Sequence, residues 1–181
     1  PFWEIEIVRK FYQNVVGIHG VWTMGTSPEV FTLPLKNGEI LRFSTPICFE
    51  DVFSDLCRKF ILNGAEMLIN LTNVSWSKTD SAEIQMYISA KFRALENRRV
   101  LVRSTNSGVT CIVDAKGRVL AQLPLFTPDY LLADIPVMKE NSFTFYTMFG
   151  DYLPLFFGII ILGLCIGNAL RILISCKKMK P

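Results

Sequence analysis

The sequence predicts a layered α/β domain with a mixed sheet, followed by one membrane-spanning helix. Two observations carry that reading. Two hairpin signals bracket a helix–strand–helix–strand succession, an order that favours a mixed sheet covered by helices. Residues 152–170 then contain no charged side chain, and Ile172, Leu173 and Ile174 prolong the run past Arg171. Crossing a bilayer takes ~20 apolar residues at ~1.5 Å each.

At the amino-terminal end, Ile5, Val8, Phe11, Tyr12 and Val15 fall at helical spacing and suggest a short amphipathic segment. Gly17, Gly20 and Gly25 break any regular pattern after it, and the apolar stretch Val21–Met24 reads as a loop near lipid or as buried core. Val30 to Leu35 reads as a strand. Asn37-Gly38 is a hairpin signal, and Ile40 to Ile47 returns as a second strand that ends at Cys48. Asp51 to Asn63 reads as a helix burying Val52, Phe53, Leu56 and Phe60, with Gly64 ending it. Ala65 to Leu71 is a compact apolar run, consistent with a buried strand.

Asp80 with Glu83 three residues on resembles a capping box. The helix it opens places Ile84, Ile88, Phe92 and Leu95 on one face, expected to be the core face, and runs to about Arg99. Val100 starts a strand that Asn106-Ser107-Gly108 interrupts and Val109 to Val113 continues. Asp114 to Gly117 turns the chain into Val119 to Leu123, and Tyr130 to Ile135 is expected to add one more strand.

Charge is distributed unevenly. The chain has 181 residues and a net charge of +3, with 19 basic and 16 acidic side chains. Arg171, Lys177, Lys178 and Lys180 follow Asp151 and no acid does, so residues 1–151 sit one charge below neutral. A near-neutral domain gives no case for nucleic acid, and the basic tail reads as a membrane-side signal. The five cysteines form no CxxC pair, and His19 is the single histidine. No metal-ligand set is grouped, no cofactor is called for, and an odd cysteine count argues against a disulfide framework.

Cys48 is the sharpest feature. It lies where a buried strand ends and a helix is expected to begin. Helix-start N–H groups stabilise an anion, so a thiolate there gains reactivity, and the same groups can hold the oxyanion of an acyl-transfer intermediate. A buried packing cysteine is the alternative. A thiol nucleophile also needs a base. His19 has no local partner, which leaves carboxylates, chiefly Glu4 and Glu50.

These residues resemble a family. Pro46-Ile47-Cys48-Phe49-Glu50 is similar to the nucleophile segment of the nitrilase, or carbon–nitrogen hydrolase, superfamily, in the C-Y-E form of bacterial apolipoprotein N-acyltransferases. Residues 63–76, ending Asn73-Val74-Ser75-Trp76, resemble that group's G-A-D-x-L-x-x-x-S-N-D-A-W. Gln85 with Arg93-Ala94-Leu95-Glu96, the segment Arg103 to Thr110, and Tyr146 with Gly150-Asp151 follow in the same order. The resemblance implies an αββα sandwich, here partial, over residues 1–140. An interfacial linker at 141–151, a transmembrane helix at 152–175 and a basic cytoplasmic tail at 176–181 complete the division.

It also implies a Glu-Lys-Cys set. In it Cys48 accepts a fatty acyl group from a membrane phospholipid as a thioester, then passes it to the terminal amine of a diacylglyceryl-cysteine lipoprotein. Pro1-Phe2-Trp3-Glu4 resembles P-F-G-E, which makes Glu4 the supporting carboxylate or, on the bland reading, a solvated acid. Phe49 would lend its backbone N–H to the oxyanion. Glu50 would order the site or serve as a helix-start acid. Trp76, Arg103 and Asn106 would line the substrate or be structural. Trp3, Phe49 and Val74-Ser75 depart from the family pattern. The family's catalytic lysine and glutamate would fall before Pro1, so the expectation is a fragment, inactive alone. More basic residues follow the helix than precede it, placing the tail in the cytoplasm and the domain in the periplasm of an inner membrane. Alternatives are a nitrilase-like amidase, for which the helix has no use, and a non-catalytic membrane-anchored remnant.

Overall fold

The computed structural model describes residues 5–11, 14–15, 25–139 and 142–178. Glu4, His19, the stretch 21–24 and Lys180 lie outside them. Helix α1 (Glu6–Phe11) forms at the expected place but buries none of its residues.

Among the described residues six strands make one sheet in sequence order: β1 (Phe31–Pro34), β2 (Ile40–Ser44), β3 (Met67–Thr72), β4 (Val100–Thr105), β5 (Cys111–Val113) and β6 (Val119–Gln122). The centre, β2-β3-β4, is parallel and both edges are antiparallel hairpins. A sheet of this kind needs helical crossovers between its parallel strands. They are α2 (Ser54–Leu62) and α3 (Asp80–Asn97), and both lie on one face. Under them Leu68, Leu101, Cys111 and Val113 pack with Cys57, Phe60, Ile61, Ala90 and Ala94. The opposite face carries Met67, Val100 and Ile112, against which Leu131, Ile135 and Val137 pack.

Four expectations are corrected. The helix foreseen at Asp51–Asn63 is two pieces. A 3-10 turn spans Cys48–Val52, and after extended backbone at Phe53 α2 begins at Ser54. That break resets the helical phase, so Cys57, Phe60 and Ile61 are buried and Phe53 is exposed. Tyr130–Ile135 is not a strand. No described strand pairs with it, and Leu131 and Ile135 lie on the face of the sheet rather than beside an edge. Asp80 and Glu83 form no capping box: Thr79 is the N-cap without a side-chain bond, and Glu83 is fully buried. Finally, α3 is turned over. Its buried residues are Glu83, Met86, Ala90, Arg93, Ala94 and Asn97, whereas Ile84, Ile88, Phe92 and Leu95 are 43–50 % exposed. The small alanines let α3 sit close to α2 and the sheet, and its polar members reach partners there.

Helix α4 (Phe145–Phe149) docks on the far end of α3. Thr147 Oγ1 donates to Asn97 Oδ1 at 2.9 Å, and Arg58 of α2 donates to the Thr147 carbonyl at 3.1 Å. Helix α5 (Tyr152–Lys178) follows. Its window Tyr152–Ala169 has a mean hydropathy of 2.0 and none of it is buried, the pattern of a helix that crosses a membrane.

Candidate active site

The chain turns as an elbow at Cys48. Strand β2 stops at Ser44, and Ile47 makes a last parallel bridge to Leu71. The backbone then turns sharply, with Cys48 at φ +53°. A residue with a Cβ pays roughly 1–2 kcal/mol for that left-handed conformation, so surrounding contacts must hold it. Glu50 reaches back to accept the Ile47 N–H at 2.7 Å, which closes the turn. That bond makes Glu50 a cap at the start of the turn. The cysteine is half-buried, and its Sγ–H points at the Asn73 carbonyl 3.8 Å away. The turn it opens is five residues of 3-10 helix, not the long α-helix expected, and is too short to carry a large dipole.

Sequence reading overlooked Asn70. It is fully buried on β3, and its Nδ2 donates to the carbonyls of Pro46 at 3.0 Å and Cys48 at 3.1 Å. The one available signal was a polar residue in the middle of an apolar strand.

Arg103 is Asn70's neighbour in the β3–β4 register. Its guanidinium donates to Asp51 Oδ2 at 3.1 Å and to the Val109 carbonyl at 3.2 Å, and both ionic side chains are fully buried. The pair therefore supports the turn from beneath and offers no surface to a substrate, a correction to the expectation for Arg103. Burial pushes the Asp51 carboxyl above its usual range, against the pull of Arg103.

Asn106 is exposed, and both ends of its amide are engaged. Oδ1 accepts the Val74 N–H at 3.1 Å and Nδ2 donates to Asn73 Oδ1 at 2.8 Å. It thus fastens the loop whose Asn73 carbonyl faces the thiol. Behind that loop Glu83 Oε1 accepts from Ser77 Oγ at 2.8 Å and Ser107 Oγ at 3.2 Å. Beside the elbow a cavity of about 230 Å³ is lined by Phe49, Val52, Trp76 and Met86, with Gln85 and Ser89 as polar members. Trp76 is 66 % exposed, so it walls this cavity rather than filling a core. The other buried thiols are unsuited to chemistry: desolvation pushes Cys57 up to about 12 and Cys111 up to about 11. Among the described residues no group of acidic, histidine and cysteine side chains could hold a metal ion.

A half-exposed cysteine on a strained strand-end turn, beside an apolar cavity, is a geometry for acyl transfer. Comparison with known proteins decides the family. The profile of the carbon-nitrogen hydrolase family matches residues 2–142. The chain belongs to the carbon-nitrogen hydrolase family. Within this family it is 41 % identical over 162 residues to apolipoprotein N-acyltransferase 2 of Treponema denticola, covering 90 % of this chain and 31 % of that one. It is 37 % identical over 151 residues to apolipoprotein N-acyltransferase of Borreliella burgdorferi, covering 83 % and 28 %. This carbon-nitrogen hydrolase chain thus spans about three tenths of the length of these curated relatives. Among solved structures, a nitrilase-superfamily amidase from Nesterenkonia matches with a TM-score of 0.47 and 18 % identity, over 57 % of this chain and 40 % of that one.

Proposed function

We propose that this chain is the carboxy-terminal part of an apolipoprotein N-acyltransferase and that Cys48 is its nucleophile. The reading is supported by one conjunction above all. Relatives bearing that name align across the segment in which a cysteine occupies a strained, accessible elbow. The Cys48 thiolate attacks the ester carbonyl of a phospholipid acyl chain. The tetrahedral intermediate expels the lysophospholipid alkoxide, which takes up the proton the thiol gave to the base. The thioester is then opened by the free amine of a diacylglyceryl-cysteine lipoprotein. An amide forms, and the proton released from the nitrogen returns to sulfur. The Phe49 N–H faces the oxyanion. Trp76 and Phe49 shelter the acyl chain. Glu4 serves as a supporting carboxylate, and the base glutamate and oxyanion lysine are supplied by sequence ahead of Pro1.

The bilayer holds both substrates, and α5 anchors the domain to it. The basic residues Arg171, Lys177, Lys178 and Lys180 at the chain's carboxy-terminal end support a cytoplasmic tail and a domain in the periplasm of an inner membrane. The test uses membranes containing the complete gene product and a phospholipid with a clickable acyl chain. Expected is a hydroxylamine-labile label on Cys48 that Cys48→Ala abolishes, together with loss of lipoprotein N-acylation by mass spectrometry. Acyl transfer at an unchanged rate in Cys48→Ala overturns the proposal. Protease treatment of inverted vesicles is expected to remove the tail at Lys177 and spare the domain.

A further inference from the structure

Resting on the reading of Cys48 as the nucleophile, we propose that Asn70 is its positioning residue: one amide group beneath the elbow sets the conformation from which the thiol reacts. The geometry is specific. Asn70 Nδ2 is shared between the carbonyl oxygens of Pro46 and Cys48, 3.0 and 3.1 Å away, so one side chain grips the chain on both sides of Ile47. The amide orientation is fixed by chemistry. A flipped Asn would set its own carbonyl oxygen against two acceptors.

The grip falls where the backbone needs it. Cys48 is held at φ +53°, a conformation an L residue keeps only when its surroundings impose it. The arrangement is also poor for stability. Asn70 is fully buried, and its Oδ1 has no hydrogen-bond partner among the described residues. An apolar side chain at this site in β3 would avoid stranding that oxygen. A buried amide with one unpaired end and the other on the nucleophile's own carbonyl is accounted for by the site it serves rather than by the core.

The experiment compares Asn70→Leu and Asn70→Asp with wild type in membranes holding the complete gene product. Hydrogen exchange is read in two peptides, one covering 46–52 and one covering β4, and Cys48 thioester formation from a phospholipid is followed beside it. Asn70→Leu is expected to speed exchange in 46–52 by roughly tenfold or more while β4 stays protected. Thioester formation should fall by about tenfold or more in kcat with KM unchanged. Asn70→Asp lacks the donor when ionised and regains an O–H when protonated. Its thioester rate, as a ratio to wild type at each pH, should therefore rise as pH falls.

Unchanged exchange in 46–52, or equal loss of protection in both peptides, overturns the proposal. So does a thioester rate in Asn70→Leu that matches wild type. If wild type forms no thioester, the acyltransferase reading falls, while the two peptides still decide whether Asn70 holds the elbow.

Discussion

The ground beneath Cys48 and the outer face of α3 are opposites. Beneath Cys48 and its loops Asn70, Asp51, Arg103 and Glu83 are buried at or below 1 % exposure, and they hold the turn and its neighbouring loops. On α3, four large apolar side chains face outward, and three of them, Ile88, Phe92 and Leu95, line a groove of about 300 Å³ bordered by Lys91 and Lys116. Under the elbow burial follows hydrogen bonding rather than hydropathy. Polar groups are drawn inside because Cys48 and its loops need hydrogen bonds from below, and small alanines on the same helix face make room for them. Substitutions on the two sides should accordingly differ by several-fold in cost.

The largest effect is expected at Arg103. Arg103→Met leaves the Asp51 carboxylate buried without its cation, a loss of ~3–5 kcal/mol. Thermal unfolding in detergent should show it as a marked drop in Tm, and adding Asp51→Asn should recover part of the loss. A single mutant as stable as wild type would break the contrast at its strongest point.

Next comes Gly108. A Cβ there would lie 2.6 Å from Glu83 Oε2 and 2.8 Å from Val74 Cγ2. Gly108→Ala therefore displaces either the buried carboxylate or the loop carrying Asn73, at ~1–3 kcal/mol. Slower Cys48 acylation should accompany the lower Tm, since Asn73 faces the thiol.

These two predictions mark where the sequence was readable. Asn37-Gly38 and Lys116-Gly117 located both hairpins, and the apolar runs located β3 and β4, because turn chemistry and continuous hydrophobicity are local properties. The face of α3 was not readable. Ile84, Ile88, Phe92 and Leu95 give the helical period correctly, but period says nothing about which side meets the sheet. That side is chosen by Ala90 and Ala94, which pack close, and by Arg93 and Asn97, which find distant partners. Glu83 was misread for the same reason, since its acceptor role depends on Ser107, 24 residues on. The strand expected at Tyr130–Ile135 has strand chemistry without a described strand to pair with. The end of a strand at Cys48 was legible as a local pattern, whereas the grip of Asn70 on it depends on a residue 22 positions on.

The thiols offer a kinetic version of the contrast. Cys57 and Cys111 are fully buried, with their acidities pushed to about 12 and about 11. Iodoacetamide at about pH 8.5 should label Cys48 and spare both in the folded protein, because the thiolate is the reacting form. Peptide mapping after urea should show all three labelled. Labelling of Cys57 at the rate of Cys48 before urea would mean that the ground beneath the elbow opens readily.

The smallest effect is expected on the outside of α3. Ile88 is 46 % exposed and Phe92 50 % exposed, so each already meets solvent over about half its surface. Replacing either by Gln removes little buried area, and both positions are free of the β-sheet contacts that hold Leu101 and Leu68. A change within about 0.5 kcal/mol is the expectation for such surface sites. Measured on the 181-residue chain, that result would confirm the inverted face. A loss that stays small in this chain but grows to ~2 kcal/mol in the complete gene product would show that another part of the protein covers the stripe there. The outward apolar residues would then be half of a buried contact, while the polar groups beneath Cys48 would keep their burial in both chains.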